Sequence, residues 1–224
     1  MKPKPFNLSV TRTRLAAWID LCTADHWTRG RLWYASAHAF AEELSSRYSI
    51  LLDRVIGVLA VLSVQNRWDR NKRDCEAICK AQYEGLDLDD VGTTSYELQR
   101  QKAISILRGI GPVEDLIGTQ YAPKTRSFYD NILCPDTSYR VTIDRWIFRG
   151  LDLERFTKGG GNRYVALYRH LEELFRQAAL RANVRPCQLQ AAVWCCIQET
   201  AKVENWDGSR PGTGLADNAE EVPF

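Results

Sequence analysis

Apolar residues recur with the period of a helix along almost the whole chain. From Thr11, the positions Leu15, Trp18, Ile19 and Cys22 fall on one face, which predicts a first amphipathic helix with one buried stripe. Gly30 then interrupts the pattern, and Ala37, Phe40, Ala41 and Leu44 mark a second helix. The segment Ile50 to Ser63 is apolar nearly all round, as expected of a helix in the middle of a protein. A Gly-, Asp- and Thr-rich loop follows Cys79, and Thr94 or Ser95 is placed to cap a helix over Tyr96–Leu107 with Leu98, Ile104 and Leu107 apolar. Gly109, Gly111 and Pro112 end that helix, and a short piece covers Val113–Ile117. Two further helices are headed by Pro123 and Asp144. Beyond Gly159-Gly160-Gly161, read as a flexible connector, come two long ones. The first carries Leu167, Leu171, Leu174 and Ala178; the second, behind Pro186, carries Leu189, Ala192, Val193, Cys196 and Ile197. No strand-like alternation and no repeat emerges, so the fold class expected is all-α.

Composition changes this picture little. A hydrophobic content of 45% over 224 residues is enough to bury a substantial core. No apolar run is long enough to span a membrane, and the basic start MKPKPFNLSV lacks the apolar segment of a secretory signal, so a cytosolic protein is expected. Charge is more informative once divided along the chain. From Val203 onward five acids stand against Arg210, which reads as an acidic, loosely ordered tail and leaves residues 1–202 net basic within an overall charge of +2. A basic body is compatible with a polyanionic partner but does not require one. The seven cysteines lack the paired spacings of a zinc site or a disulfide framework. Cys75 and Cys79 would suit half a metal site without a second half, so no metal is expected.

Three features carry candidate chemistry. Arg67, Arg70 and Arg73 repeat every three residues after the apolar helix, so one helix face could offer three guanidinium groups to phosphates, or simply be solvated. Lys124 stands in the turn Ala122-Pro123-Lys124-Thr125 at a helix start. A lysine attacks only as the neutral amine, and a helix N-terminus disfavours added positive charge. Asp144 stands at the head of the next helix, where an aspartate is ordinarily a cap. His26-Trp27 and Leu32-Trp33-Tyr34 read as core aromatics, and Trp33, Tyr34, Trp68, Tyr121, Phe128 and Trp146 are available either for the core or for stacking on a base.

The segment Asp144-Arg145-Trp146-Ile147-Phe148-Arg149, preceded by Val141 and Ile143, resembles the V-D-T-H-I-F-R segment of the helix-hairpin-helix DNA glycosylase superfamily, endonuclease III type. Pro123-Lys124-Thr125 resembles the R-K-T that closes that family's hairpin. Leu62-Ser63-Val64-Gln65 is similar to its L-S-A-Q, and Lys102-Ala103 to the K-A that opens a later helix. The matches occur in the family's order over residues 50–150. Two features of the family are missing: side chains occupy both glycine sites of the hairpin, within Gly118-Thr119-Gln120-Tyr121-Ala122, and the four-cysteine pattern of an iron–sulfur cluster is absent, so no cofactor is expected.

The resemblance implies a two-lobed helical bundle, with residues 1–49 and 150–202 forming one lobe, 50–149 the helix-hairpin-helix lobe, and 203–224 the tail. It implies a monomeric DNA glycosylase, with or without AP lyase activity, removing a damaged or modified base from duplex DNA in a nucleoid or from viral DNA. Lys124 would attack C1′ of the sugar and form a Schiff base. Asp144 would stabilise positive charge on the sugar or help deprotonate the nucleophile. Gln65 would fill the gap left by a flipped nucleotide, since the glycosidic bond is inaccessible within the base stack. Arg67, Arg70, Arg73, Thr125 and Arg145 complete the set expected at the DNA. Two other readings share these residues: a transferase that modifies pyrimidines in DNA, and a DNA-binding module without catalysis.

Overall fold

A computed structural model describes residues 7–118, 122–157 and 161–203. The hairpin residues Thr119-Gln120-Tyr121, the connector Lys158-Gly159-Gly160 and the tail from Glu204 lie outside the described residues. Every regular element among the described residues is helical: ten α-helices and two 3-10 turns, with no strand. None of these helices is long and apolar enough to cross a membrane. The chain divides into two compact units, one made of residues up to Arg31 and from Ile143 onward, the other of Leu32–Thr142. These divisions fall earlier in the chain than the 49/50 and 149/150 boundaries read from sequence.

The Leu32–Thr142 unit is built around α3 (Leu52–Leu62), in which every side chain from Val55 to Leu62 is buried. An all-round apolar helix cannot sit on a surface without exposing one face, and here four helices cover it: α4 (Trp68–Tyr83), α5 (Glu97–Leu107), α6 (Val113–Leu116) and α7 (Pro123–Leu133). Gly57 admits α6, because a Cβ there would stand 2.5 Å from Cγ1 of Val113. The buried Asn71 of α4 donates to the Leu59 carbonyl at 3.0 Å, adding a polar tie across an apolar contact. The predicted cap of α5 is corrected. The helix starts at Glu97 behind Tyr96 with no side-chain cap, and Thr94 and Ser95 bond elsewhere. Leu98 points to solvent, 65% exposed, while Ala103, Ile104, Ile106 and Leu107 carry the packing.

In the other unit, α10 (Pro186–Val203) packs on α9 (Gly161–Ala182), on α8 (Arg145–Gly150) and on α1 (Leu8–Leu21). The apolar positions read from sequence in α9 and α10 are all buried. The α1 stripe is shallower than expected: Leu15 is buried, but Trp18, Ile19 and Cys22 are half-exposed. Trp18 uses its indole instead, donating to the Gly150 carbonyl at 2.8 Å. Gly30 does not end a helix, because α2 (Ala24–Tyr48) runs straight through it. Its role is a close crossing with α10, since a Cβ there would lie 2.5 Å from the Ala192 amide nitrogen and 2.7 Å from the Gln188 carbonyl. Gly30 is a contact glycine within α2 and not a helix breaker.

Candidate active site

The apolar run of α3 ends at Ser63, whose hydroxyl turns back onto the Ala60 carbonyl at 2.8 Å. The chain then reverses into α4 through Gln65, which takes φ +52°. A non-glycine residue in the left-handed region costs roughly 1 kcal/mol or more, so something must hold it there. A polar cluster does so. Asp74, 7% exposed, accepts from the Asn66 side-chain amide at 3.0 Å, the Thr94 backbone N–H at 3.0 Å and the Thr94 hydroxyl at 2.6 Å. Ser95 completes it, donating to the Leu62 carbonyl at 2.9 Å while accepting from Asn66 at 3.2 Å. Gln65 itself is exposed, and its side-chain oxygen accepts from the hydroxyl of Tyr96, which is also exposed.

Lys124 meets this same end of α3. It sits in the first turn of α7, behind Pro123, whose fixed φ suits a helix start. Its Nζ lies 3.3 Å from both the carbonyl and the hydroxyl oxygen of Ser63, and 5.7 Å from the centre of the Phe128 ring. Phe128 belongs to an aromatic group with Trp33, Tyr34 and Trp68, at centroid separations of 4.8 to 6.3 Å. Trp33, Tyr34 and Phe128 are buried and Trp68 half-buried, so the aromatics floor the lysine rather than stand in solvent. Thr125, the next residue of α7, is buried, 6% exposed.

The three arginines open α4. Arg67 is its N-cap residue and half-buried, while Arg70 and Arg73 are exposed. None of the three guanidinium groups has a hydrogen-bond or ion-pair partner among the described residues. By contrast, Lys72 on the same helix is paired with Asp69 at 3.1 Å and lies over the rings of Trp68 and Phe40. Cys75 and Cys79, also on α4, are buried, and burial pushes the Cys75 thiol well above its ordinary range. No cluster of three or more metal-ligating side chains occurs among the described residues.

Asp144 and Arg145 belong to the other unit. Val141–Ile143, which carry no regular secondary structure, lead into α8, with the Ile143 amide donating to the Tyr168 hydroxyl at 2.9 Å. Asp144 is the N-cap, its Oδ1 accepting the Ile147 N–H at 3.0 Å; Arg145 is the first residue of the helix and half-exposed. Oδ2 of Asp144 accepts the indole N–H of Trp194 at 2.8 Å. The phenol of Tyr164 on α9 is pushed up to about 12, by burial first and by the Asp144 charge second. Trp146, offered above as a stacking partner, is buried with the Arg149 guanidinium 5.1 Å from its ring.

The structure thus brings Lys124, Gln65 and the head of the arginine helix together around the end of α3, and places Asp144 on the other unit. Sequence reasoning missed Ser63 as the lysine's partner, the Asp74 cluster behind Gln65, and Trp194. Each depends on contacts between residues far apart in the chain, which no local pattern records. No curated protein and no solved structure matches the chain. Residues 4–201 match the family of unknown function DUF7178, and the chain belongs to that family.

Proposed function

We propose that the chain is a DNA N-glycosylase with AP lyase activity, acting on duplex DNA as a monomer and without a cofactor. The observation that carries the reading is the contact of Lys124 Nζ with Ser63 at 3.3 Å, which sets the amine beside the exposed Gln65 turn and the start of the arginine helix. Amine, gap-filling amide and phosphate-binding cations are the three parts such an enzyme needs on one face. In this reading the all-helical fold is the two-lobed helix-hairpin-helix glycosylase fold. Its support is the order of parts: short α6, then α7 with a lysine in its first turn, then α8 capped by Asp144.

The reaction then divides as follows. Arg67, Arg70 and Arg73 hold phosphates, Gln65 occupies the space left by the extruded nucleotide, and Lys124 attacks C1′ as the base departs. The bond from C1′ to the base breaks, a bond from C1′ to nitrogen forms, and loss of the ring oxygen bond gives a Schiff base. Asp144 supplies negative charge against the positive charge that develops on the sugar. Borohydride reduction on duplex DNA carrying candidate lesions tests this: a covalent adduct is expected with the native chain and none with Lys124→Ala. Nucleoside mass spectrometry on the same reactions reads the rival outcomes. A heavier nucleoside means group transfer onto the base, and DNA binding with no product and no adduct means a binding module; either result overturns the glycosylase reading.

A further inference from the structure

The Asp144 carboxylate has a partner that the motif around it does not supply. Its N-cap bond to the Ile147 amide fixes one oxygen, but an aspartate held at one oxygen can still turn about its last torsion. The second bond, from the Trp194 indole to Oδ2 at 2.8 Å, removes that freedom and fixes the plane of the carboxylate. An indole N–H is a donor only, and a hydrogen bond to an ionised acceptor is roughly twice as strong as one to a neutral acceptor, so the contact favours the charged form.

Trp194 is itself held in place. Its helix, α10, packs directly on α8: Ile197 of α10 abuts Gly150, where a Cβ would come within 2.4 Å of Ile197 Cδ1. The Gly150 carbonyl is tied to the Trp18 indole on the neighbouring α1. Groups near the carboxylate include the Ile147 amide from α8, the Trp194 indole from α10 and the Tyr164 phenol from α9. The phenol stays neutral across the ordinary pH range, so it does not compete as a second charge.

We propose that Trp194 is the positioning residue for Asp144, fixing the orientation of its carboxylate and favouring the charged form, so that the negative charge is oriented before the substrate arrives. The role in reaction rests on the glycosylase reading; the hold on the carboxylate does not. The test replaces Trp194 in the full chain by its benzothiophene analogue, which keeps the ring's shape and puts sulfur where the N–H stood. Titration of the carboxyl-13C signal of Asp144 is expected to show a midpoint raised by about one pH unit, the usual worth of one hydrogen bond to a charged group. Base release from lesion-bearing DNA is expected to fall about tenfold, with the acid limb of its pH profile displaced in the same direction. Trp194→His, which restores a ring donor, recovers part of both. A midpoint that does not move overturns the proposal, as does a rate lost with the midpoint unchanged. A midpoint that moves while Asp144→Asn leaves every reaction on DNA unaltered upholds the hold on Asp144 and overturns the glycosylase reading instead.

Discussion

Replacing Arg67, Arg70 and Arg73 together by glutamine isolates the electrostatic part of the proposed DNA binding. None of the three guanidinium groups has an intramolecular partner among the described residues, and two of the arginines are exposed, so the substitutions remove no internal ion pair. Stability is expected to stay within about 0.5 kcal/mol for changes of this kind. Each lysine or arginine that neutralises a phosphate adds about 0.9 to the slope of log affinity against log salt. Three contacts therefore account for a slope of about 2.7, and their loss costs two to three orders of magnitude in affinity near 0.1 M salt. Fluorescence anisotropy of labelled duplex DNA between 50 and 200 mM salt, a range of roughly fourfold, reads the slope directly. A slope that falls by fewer than about 0.5, with the melting temperature unchanged, refutes the assignment and returns the helix face to the solvated reading.

Three further outcomes follow from packing and burial. Gly30→Ala forces a Cβ to within 2.5 Å of the Ala192 amide, where backbone of α10 must shift. It is expected to cost about 1 to 3 kcal/mol by denaturant titration, and a neutral result would mean that α2 and α10 can part freely. Asp74→Ala leaves the donors of Asn66 and Thr94 without their common acceptor, and a loss of about 3 kcal/mol together with weaker DNA binding through the released Gln65 turn is expected by melting and anisotropy. The thiols of Cys22 and Cys195 are raised chiefly by burial, Cys195 to about 12. In the unfolded chain they ionise near 9, so their contribution is intact below that pH and is lost as pH rises toward the folded-state values. Thermal melts in reductant should therefore decline from pH 9 to 11, and Cys195→Ala should flatten the decline; an unaltered decline would exclude this thiol as a source.

Much of the helical scaffold was legible because period and burial are local properties. Val55–Leu62 has no polar face to offer, so its central position follows from the residues themselves. The stripes of α9 and α10 were equally plain. What stayed hidden has one physical cause, the arrival of residues from elsewhere in the chain. Gly30 is explained only by Ala192 and Gln188, which sit on a helix more than a hundred and fifty positions away. Thr94 and Ser95 have the right chemistry for capping, but Asp74 and the Leu62 carbonyl compete for them and win. At the candidate site the lysine at a helix start and the aspartate at a helix head were readable as local grammar. That Lys124 rests on Ser63, and that Asp144 is gripped by Trp194, were not.

The cap at Asp144 and its proposed chemical role are separable by substitution. As the N-cap of α8 it earns its place without any chemistry, because Oδ1 satisfies an amide that would otherwise lack a partner. Asp144→Ala removes cap and charge at once, at about 1 kcal/mol for the cap alone, and so cannot tell the two apart. Asparagine caps as well as aspartate does, and its carbonyl oxygen can take the Ile147 amide. It then presents its amide group to the Trp194 indole, donor facing donor, where the native chain has a charged acceptor. Asp144→Asn therefore keeps the helix start, removes the charge and breaks the contact with α10. The benzothiophene analogue at position 194 keeps the cap and the charge and breaks that contact alone. If the charge does chemical work, Asp144→Asn must abolish product while the analogue only slows it. If Asp144 is a cap and nothing more, neither variant changes what happens to DNA.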